Sequence, residues 1–385
     1  MSADVQAWES LAAARPVILI CFLPILLYRV WRVARHPTSV PALAATAFGV
    51  LMWFWILEFT DAVWSVLPPI VRAASAGGWA AVTIGACLQI FVIGIAGDAS
   101  PERIRRGLRL TAVTAILALV VVAALAGRSQ ALMSAGNGDS VADVLIAGDD
   151  PWAVAALVVG NVYIMSVVVQ LAWAGFRHAD RTPLGVGLGL MAIGAIFQLV
   201  ASSFGGIWQP LSHGKGFIGS ALGLWFQTWS GCIAAVLMVS GFLWPPVMLR
   251  IQARRDVRRL LPLHDGLDRL FPGLFPPTAP RMRLTDLAFE RITQIQDGLT
   301  LLAQGRGVLP STDHPIPEHC TDRVVGVTDW LIGQEVPGFS AEWLHAPAGM
   351  DDESWVLAIA DAYRERQDGL EAPASLSGMP STLRK

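Results

Sequence analysis

Seven stretches, each overwhelmingly apolar, alternate with short polar segments along the first 246 residues. They lie near 14–33, 42–66, 77–97, 108–127, 152–175, 184–204 and 218–246. About 20 apolar residues cross a hydrocarbon core about 30 Å thick, so the pattern predicts seven transmembrane helices. Pro24 falls inside the first, where neighbouring helices can compensate for the lost backbone bond. The last is the longest, and is expected to tilt or to run on as a helix until Pro245-Pro246 bends it. Beyond it the pattern becomes amphipathic. Leu284, Leu287, Ala288, Ile292, Ile295, Leu299 and Leu302 recur mostly at spacings of three and four, which predicts a helix ending before Gly305. Two more helices are expected near 318–334 and 352–368, the second burying Trp355, Ile359, Ala362 and Tyr363.

This is an all-α reading: a polytopic membrane protein with seven transmembrane helices plus a small helical cytoplasmic domain. Its expected parts are a seven-helix transmembrane domain at 1–249 and a basic juxtamembrane segment with a Pro-rich linker at 250–283. A helical cytoplasmic domain at 284–370 and a disordered tail at 371–385 follow. Orientation is read from arginine. Fourteen basic residues follow the odd-numbered spans, at 29–35, 103–109, 177–181 and 250–259, whereas Arg15, Arg72, Arg128 and Lys215 are the four on the opposite side. By the positive-inside rule the N-terminus is outside and the C-terminus inside, in a multi-pass plasma-membrane protein. Met1 to Ala14 carries Asp4 and Glu9 but no base, so a cleaved secretory signal is not expected.

Charge changes this picture at one point only. The chain is 15 % charged, against about 25 % in soluble domains, and the deficit is confined to the spans. A net charge of −2 with no extended basic face argues against a nucleic-acid partner. Arg250, Arg254, Arg255, Arg258 and Arg259 directly follow the last span and are expected to sit on anionic lipid headgroups, at about 1 kcal/mol each. Cys21, Cys87, Cys232 and Cys320 have no CxxC spacing and predict no disulfide framework.

Candidate chemistry concentrates in Trp53-Phe54-Trp55-Ile56-Leu57-Glu58-Phe59-Thr60-Asp61-Ala62-Val63-Trp64. Glu58 and Asp61 are the acidic residues placed inside a span, where ionisable groups are costly and mark function by default. Counted from Pro41 at 1.5 Å per residue, Glu58 lies about 25 Å along the core. Counted back from Leu67, it lies about 13 Å from the outer end. An interfacial residue in an aromatic belt and a buried functional carboxylate both remain open. Asn161, Gln198 and Gln227 fall nine to fourteen residues from span ends, at a depth where they can join Glu58 in a ligand or proton site. The plainer account is interhelical hydrogen bonding, about 0.6 kcal/mol per bond. Gly185 with Gly189 and Gly219 with Gly223 have the spacing that lets helices approach closely.

Elsewhere chemistry is not legible. Gly136-Asn137-Gly138-Asp139 with Asp143, Asp149 and Asp150 lacks EF-hand spacing. Asp313-His314 with Glu318-His319-Cys320 is neither HExxH nor a CxxC pair, so no metal is expected. Gly214-Lys215-Gly216 is no P-loop, and catalytic and dinucleotide fingerprints are missing, so neither an enzyme nor a cofactor is expected. His264, between Leu263 and Asp265, reads as an ordinary surface or core histidine. Paired interrupted helices of the kind that mark inverted-repeat transporters are not expected from this pattern.

Leu260-Leu261-Pro262-Leu263, Leu267, Phe271-Pro272 and then Phe289-Glu290-Arg291-Ile292-Thr293-Gln294-Ile295-Gln296-Asp297-Gly298-Leu299 together form a recognisable pattern. It resembles a family of actinobacterial membrane proteins with several N-terminal spans and an uncharacterised C-terminal domain, labelled as transporters. Here His264 stands where that family usually has Trp, Thr293 where it has Ile, Gln294 where it has Glu, and Gln296 where it has Arg. The stretch from Glu353 to Tyr363 is also similar. The resemblance implies the seven-span layout and a transport label. The odd span count and the sizeable inside domain instead suit a sensor or regulator with a protein partner for residues 260–370. Sensing is the first expectation; secondary transport of a small or amphiphilic solute is the alternative.

Overall fold

The computed structural model describes residues 15–35, 39–95, 100–136, 138–213, 215–217, 221–273, 275, 282, 284–311 and 315–376. Among them there is no strand, and the chain is a multi-pass all-α membrane protein. It divides into two compact units, 1–245 and 246–385.

In the first unit, α1 (Arg15–Arg35), α2 (Val40–Glu58), α3 (Asp61–Trp64), α4 (Pro69–Ala76), α5 (Trp79–Ile95) and α6 (Pro101–Ala126) come in turn. The short α7 (Gln130–Ser134) and α8 (Gly138–Ala147) precede α9 (Pro151–Arg177) and α10 (Pro183–Ser203). A π-helix, Phe204–Trp208, and α11 (Gln209–Leu211) extend α10, and α12 (Ala221–Leu270) begins after them. The long helices start by one local rule. Ser100, Asp150 and Thr182 each cap a helix with a side-chain oxygen, and a proline follows at the first helical position. There its fixed φ suits the helix and its missing N–H would have been unpaired anyway.

Six helices are long and apolar enough to cross a membrane, or seven if the bent pair α4 and α5 counts as one span. Two of the expected spans are not continuous. The second stops at Glu58, because Phe59 and Thr60 leave helical geometry before α3 begins. The third begins earlier than expected and is broken between α4 and α5, whose axes differ by 57°. Gly78, at φ +98°, makes this turn, a conformation L side chains rarely adopt. One bent pair, α4 and α5, is therefore present among the described residues. A turn made by two glycines inside an apolar run leaves hydropathy unchanged.

Lipid tails are as apolar as leucine, so close packing holds this bundle together. Phe48, Leu88, Phe91, Ile164, Val168, Leu171, Met191 and Met238 form its main core, drawn from α2, α5, α9, α10 and α12. The close approach expected of Gly185 with Gly189 is not made by that pair. Gly185 faces Asp180 in the turn before its own helix, and Gly189 has only Ala179 near it, at 3.7 Å. Gly219 lies outside the described residues. Instead, a Cβ on Gly187 would stand 2.8 Å from the Gly241 carbonyl and 3.0 Å from the Pro245 ring. Pro245 has no N–H to bond that carbonyl four residues earlier, so α12 presents it to a residue without a side chain.

Helix α12 is helical over Ala221–Leu270, Pro245 and Pro246 included. Its last turns belong to the second unit, not to a juxtamembrane linker. Leu260, Leu263 and Leu267 are buried there with Ile292, Ile295 and Leu299 of α13 (Leu284–Gly305) and Val327 and Trp330 of α14 (Cys320–Leu331). Trp355 and Ile359 of α15 (Asp352–Leu376) complete this core, while Ala362 and Tyr363 are half-buried against it. The last helix is described to Leu376. Residues 377–385, and most of the Pro-rich stretch 272–280, lie outside the described residues.

Arg323 closes the second unit. It is buried, lies over the Trp355 ring at 5.3 Å, and donates to the carbonyls of Trp343, Glu342 and His345 at the end of a short 3-10 turn, Ala341–Leu344. Burial pulls its pKa down, against weaker attractions from Cys320 and Glu342. A guanidinium with five fixed donors can satisfy three carbonyls together where a lysine could not.

Candidate functional site

Glu58 is the last residue of α2, so its side chain leaves the helix where the backbone turns away. One carboxylate oxygen accepts from the Ser75 hydroxyl at 3.0 Å and from the Trp79 indole N–H at 3.1 Å. The indole is also 3.1 Å from the Ser75 hydroxyl, which closes a three-membered polar cluster. Ser75 is in the last turn of α4 and Trp79 is the first residue of α5. The carboxylate thus spans the break of the bent pair. Trp79, which sequence position assigns to an aromatic belt, is its hydrogen-bond donor.

The end of α2 has a second, separate contact. Arg15, the first residue of α1, donates to the Phe59 carbonyl at 2.6 Å and so satisfies one of the orphan acceptors at the end of α2. Forty-four residues separate the two, and no local pattern connects them. Asp61 does not join Glu58. It is exposed and begins α3.

The break is packed as tightly as it is hydrogen-bonded. A Cβ at Gly77 would come within 2.8 Å of Ala126 and 3.3 Å of Ala156. One at Gly160 would stand 3.0 Å from the Gly78 carbonyl. The next residue on α9 is Asn161, and it meets the other interruption of the bundle. A Cβ at Gly206, in the π-helix, would overlap the Asn161 side chain, and one at Gly205 would overlap the Gln227 amide of α12. Consecutive residues of α9 therefore touch both interruptions, and consecutive glycines of the π-helix receive two of the expected polar residues.

Asn161 donates to the Leu157 carbonyl at 2.9 Å, a bond within its own helix. Gln198 donates to Ser202 at 3.0 Å, one turn along α10. Gln209, just past the π-helix, is 6 % exposed, and its amide nitrogen has no hydrogen-bond partner. The structure thus groups Asn161 and Gln227 at the π-helix and Glu58 at the break. Gln198 stands near neither in any contact, and Asp61 is at the surface. Ser75, Trp79, Arg15 and the Gly77-Gly78 and Gly205-Gly206 pairs are the members that pattern reading missed. The shared signal was the double glycine inside an apolar run.

The remaining candidates are simpler. Arg250, Arg254, Arg255 and Arg258 are exposed, while Arg259 is held by Asp361 at 2.6 and 3.1 Å and by Asp256 at 3.4 Å. The His264 ring donates from Nε2 to Gln294 Oε1 at 2.9 Å and stacks on Phe275 at 5.0 Å. Among the described residues, no group of three His, Cys, Asp or Glu side chains is placed to hold a metal. Asp313-His314 and Asn137 lie outside those residues.

The fold and the interrupted helices define a multi-pass integral membrane protein with a helical C-terminal unit. No family model, no curated protein and no solved structure matches this chain.

Proposed function

We propose that the protein is a plasma-membrane sensor or regulator, in which the end of the bundle bearing Glu58 receives the input and the C-terminal helical unit gives the output. The observation that carries this reading is helix α12. It places Gln227 on the π-helix at one end, and at the other it supplies Leu260, Leu263 and Leu267 to the core of the C-terminal unit. The same helix thus supplies side chains to each unit, and a coupling between them would run along it. The arginine asymmetry supports an outside N-terminus and a cytoplasmic output, where residues 260–370 would meet a protein partner.

The test is hydrogen–deuterium exchange on the purified full-length chain, wild type against Glu58→Gln. Glutamine keeps the shape but weakens the acceptor that Ser75 and Trp79 use. Faster exchange is expected at the α4–α5 break and also in α13. Exchange altered only near the break would defeat the sensor reading.

A second reading has its own observation. The bent pair α4 and α5 with a carboxylate across the break is the kind of discontinuous span that transporters use for solute and ion sites. Under that reading, wild-type protein in liposomes with a trapped pH dye would carry protons and Glu58→Gln would not. A sensor carries none.

A further inference from the structure

We infer that Arg250, Arg254, Arg255 and Arg258 form a binding site for the phosphate of anionic lipid headgroups, and that Arg259 is not part of it. The four follow directly on the apolar part of α12, within one continuous helix. Arg250, Arg254 and Arg258 are four residues apart, so they line one face at about 6 Å per step, with Arg255 beside them. The stripe is about 12 Å long, close to the Debye length of about 8–10 Å over which a charged surface is felt.

The opposite face fixes which way the stripe points. Ala253 and Leu260 are buried, and Leu263 and Leu267 continue the same side into the core of the C-terminal unit. The four arginines are all exposed, and among the described residues none of them makes an ion pair or lies over a ring. Asp256, the one carboxylate within the run, is turned to Arg259, which also holds Asp361. Asp361 in turn receives Arg364 at 3.3 Å. The single acid that could cancel the stripe is therefore neutralised away from it, and the fifth arginine is consumed inside the unit. The hydrogen bond to Asp361, ahead of the opposing effect of burial, holds the Arg259 pKa up.

Four guanidiniums exposed on one side of the helix offer bidentate donors to lipid phosphates, and a neutral headgroup surface does not attract them. Native mass spectrometry tests this on the full-length protein in non-ionic detergent, titrated with phosphatidylglycerol or phosphatidylcholine. Wild type is expected to retain phosphatidylglycerol preferentially. Replacing Arg250, Arg254, Arg255 and Arg258 together by Gln should lower that retention more than about tenfold, since each basic group near a charged surface contributes about a fivefold factor. Replacing the same four by Lys should restore most of it, which separates a lost site from a misfolded chain. Arg259→Gln should leave it unchanged. Equal retention in wild type and the Gln variant, or equal loss in Arg259→Gln, would overturn the assignment. Displacement of the lipid by equimolar inorganic phosphate would overturn it too, by showing that the site takes free phosphate.

Discussion

Glu58 shows what a single residue can and cannot announce. A carboxylate between Leu57 and Phe59 is conspicuous in sequence, yet its meaning depends on Ser75 and Trp79, which are 17 and 21 residues away. Asp150 is the reverse case, because its role is local and legible. It accepts from the backbone N–H groups of Trp152 and Ala153 at 2.9 and 3.3 Å and from the Ser129 hydroxyl at 2.7 Å. Partial burial pushes its carboxyl up, but these hydrogen bonds prevail and hold it below the usual carboxylate range. The sign follows. A folded-state pKa below the unfolded value near about 3.9 gives a contribution that is present above that pH and lost as pH falls through the folded value. Thermal melts of the detergent-solubilised protein should show a stability loss below about pH 4 that is smaller in Asp150→Asn. Near neutral pH, Asp150→Ala should cost about 1 kcal/mol as a lost helix cap. Identical acid limbs in wild type and Asp150→Asn would remove this carboxylate from the acid response.

Among the elements, the π-helix Phe204–Trp208 has the least support in local sequence. It inserts an extra residue per turn at Gly205-Gly206, where Gln227 and Asn161 crowd the backbone. The two glycines should differ in tolerance. Gln227 is long and its amide lies at the far end of three rotatable bonds, so Gly205→Ala can be absorbed by its movement. Asn161 is short and bonded to Leu157, so Gly206→Ala should destabilise by about 1–3 kcal/mol, as overpacking does. Removing the obstacle in the double variant Gly206→Ala/Asn161→Ala should recover much of that loss in thermal unfolding. Additive losses would mean that Asn161 and Gly206 do not share the space.

At the scale of the whole molecule, the bundle has an odd number of crossings when α4 and α5 count as one span. With the N-terminus outside, as the arginine asymmetry argues, a reporter active only outside the cytoplasm should work when fused near Gly136 and fail near Gly107. The opposite pattern would invert the protein, and equal signals would remove a crossing.

The apolar runs themselves fix the all-α class and the approximate extent of the spans, since in hydrocarbon a backbone must bond within its own segment. The helix starts at Ser100, Asp150 and Thr182 are equally local, each written as a cap followed by proline. The amphipathic period of Leu284 to Leu302 marks its own buried face, because side chains three and four apart share one side of a helix. What tertiary structure alone decides is where an apolar run breaks and which small residue makes a contact. Gly77-Gly78 and Gly205-Gly206 turn or bulge because Ala126, Ala156, Gly160, Asn161 and Gln227 lie against them. Gly187, not Gly185, packs on Gly241 because Pro245 frees a carbonyl on the helix opposite. Hydropathy is a sum along the chain and is blind to such contacts, which are made across it.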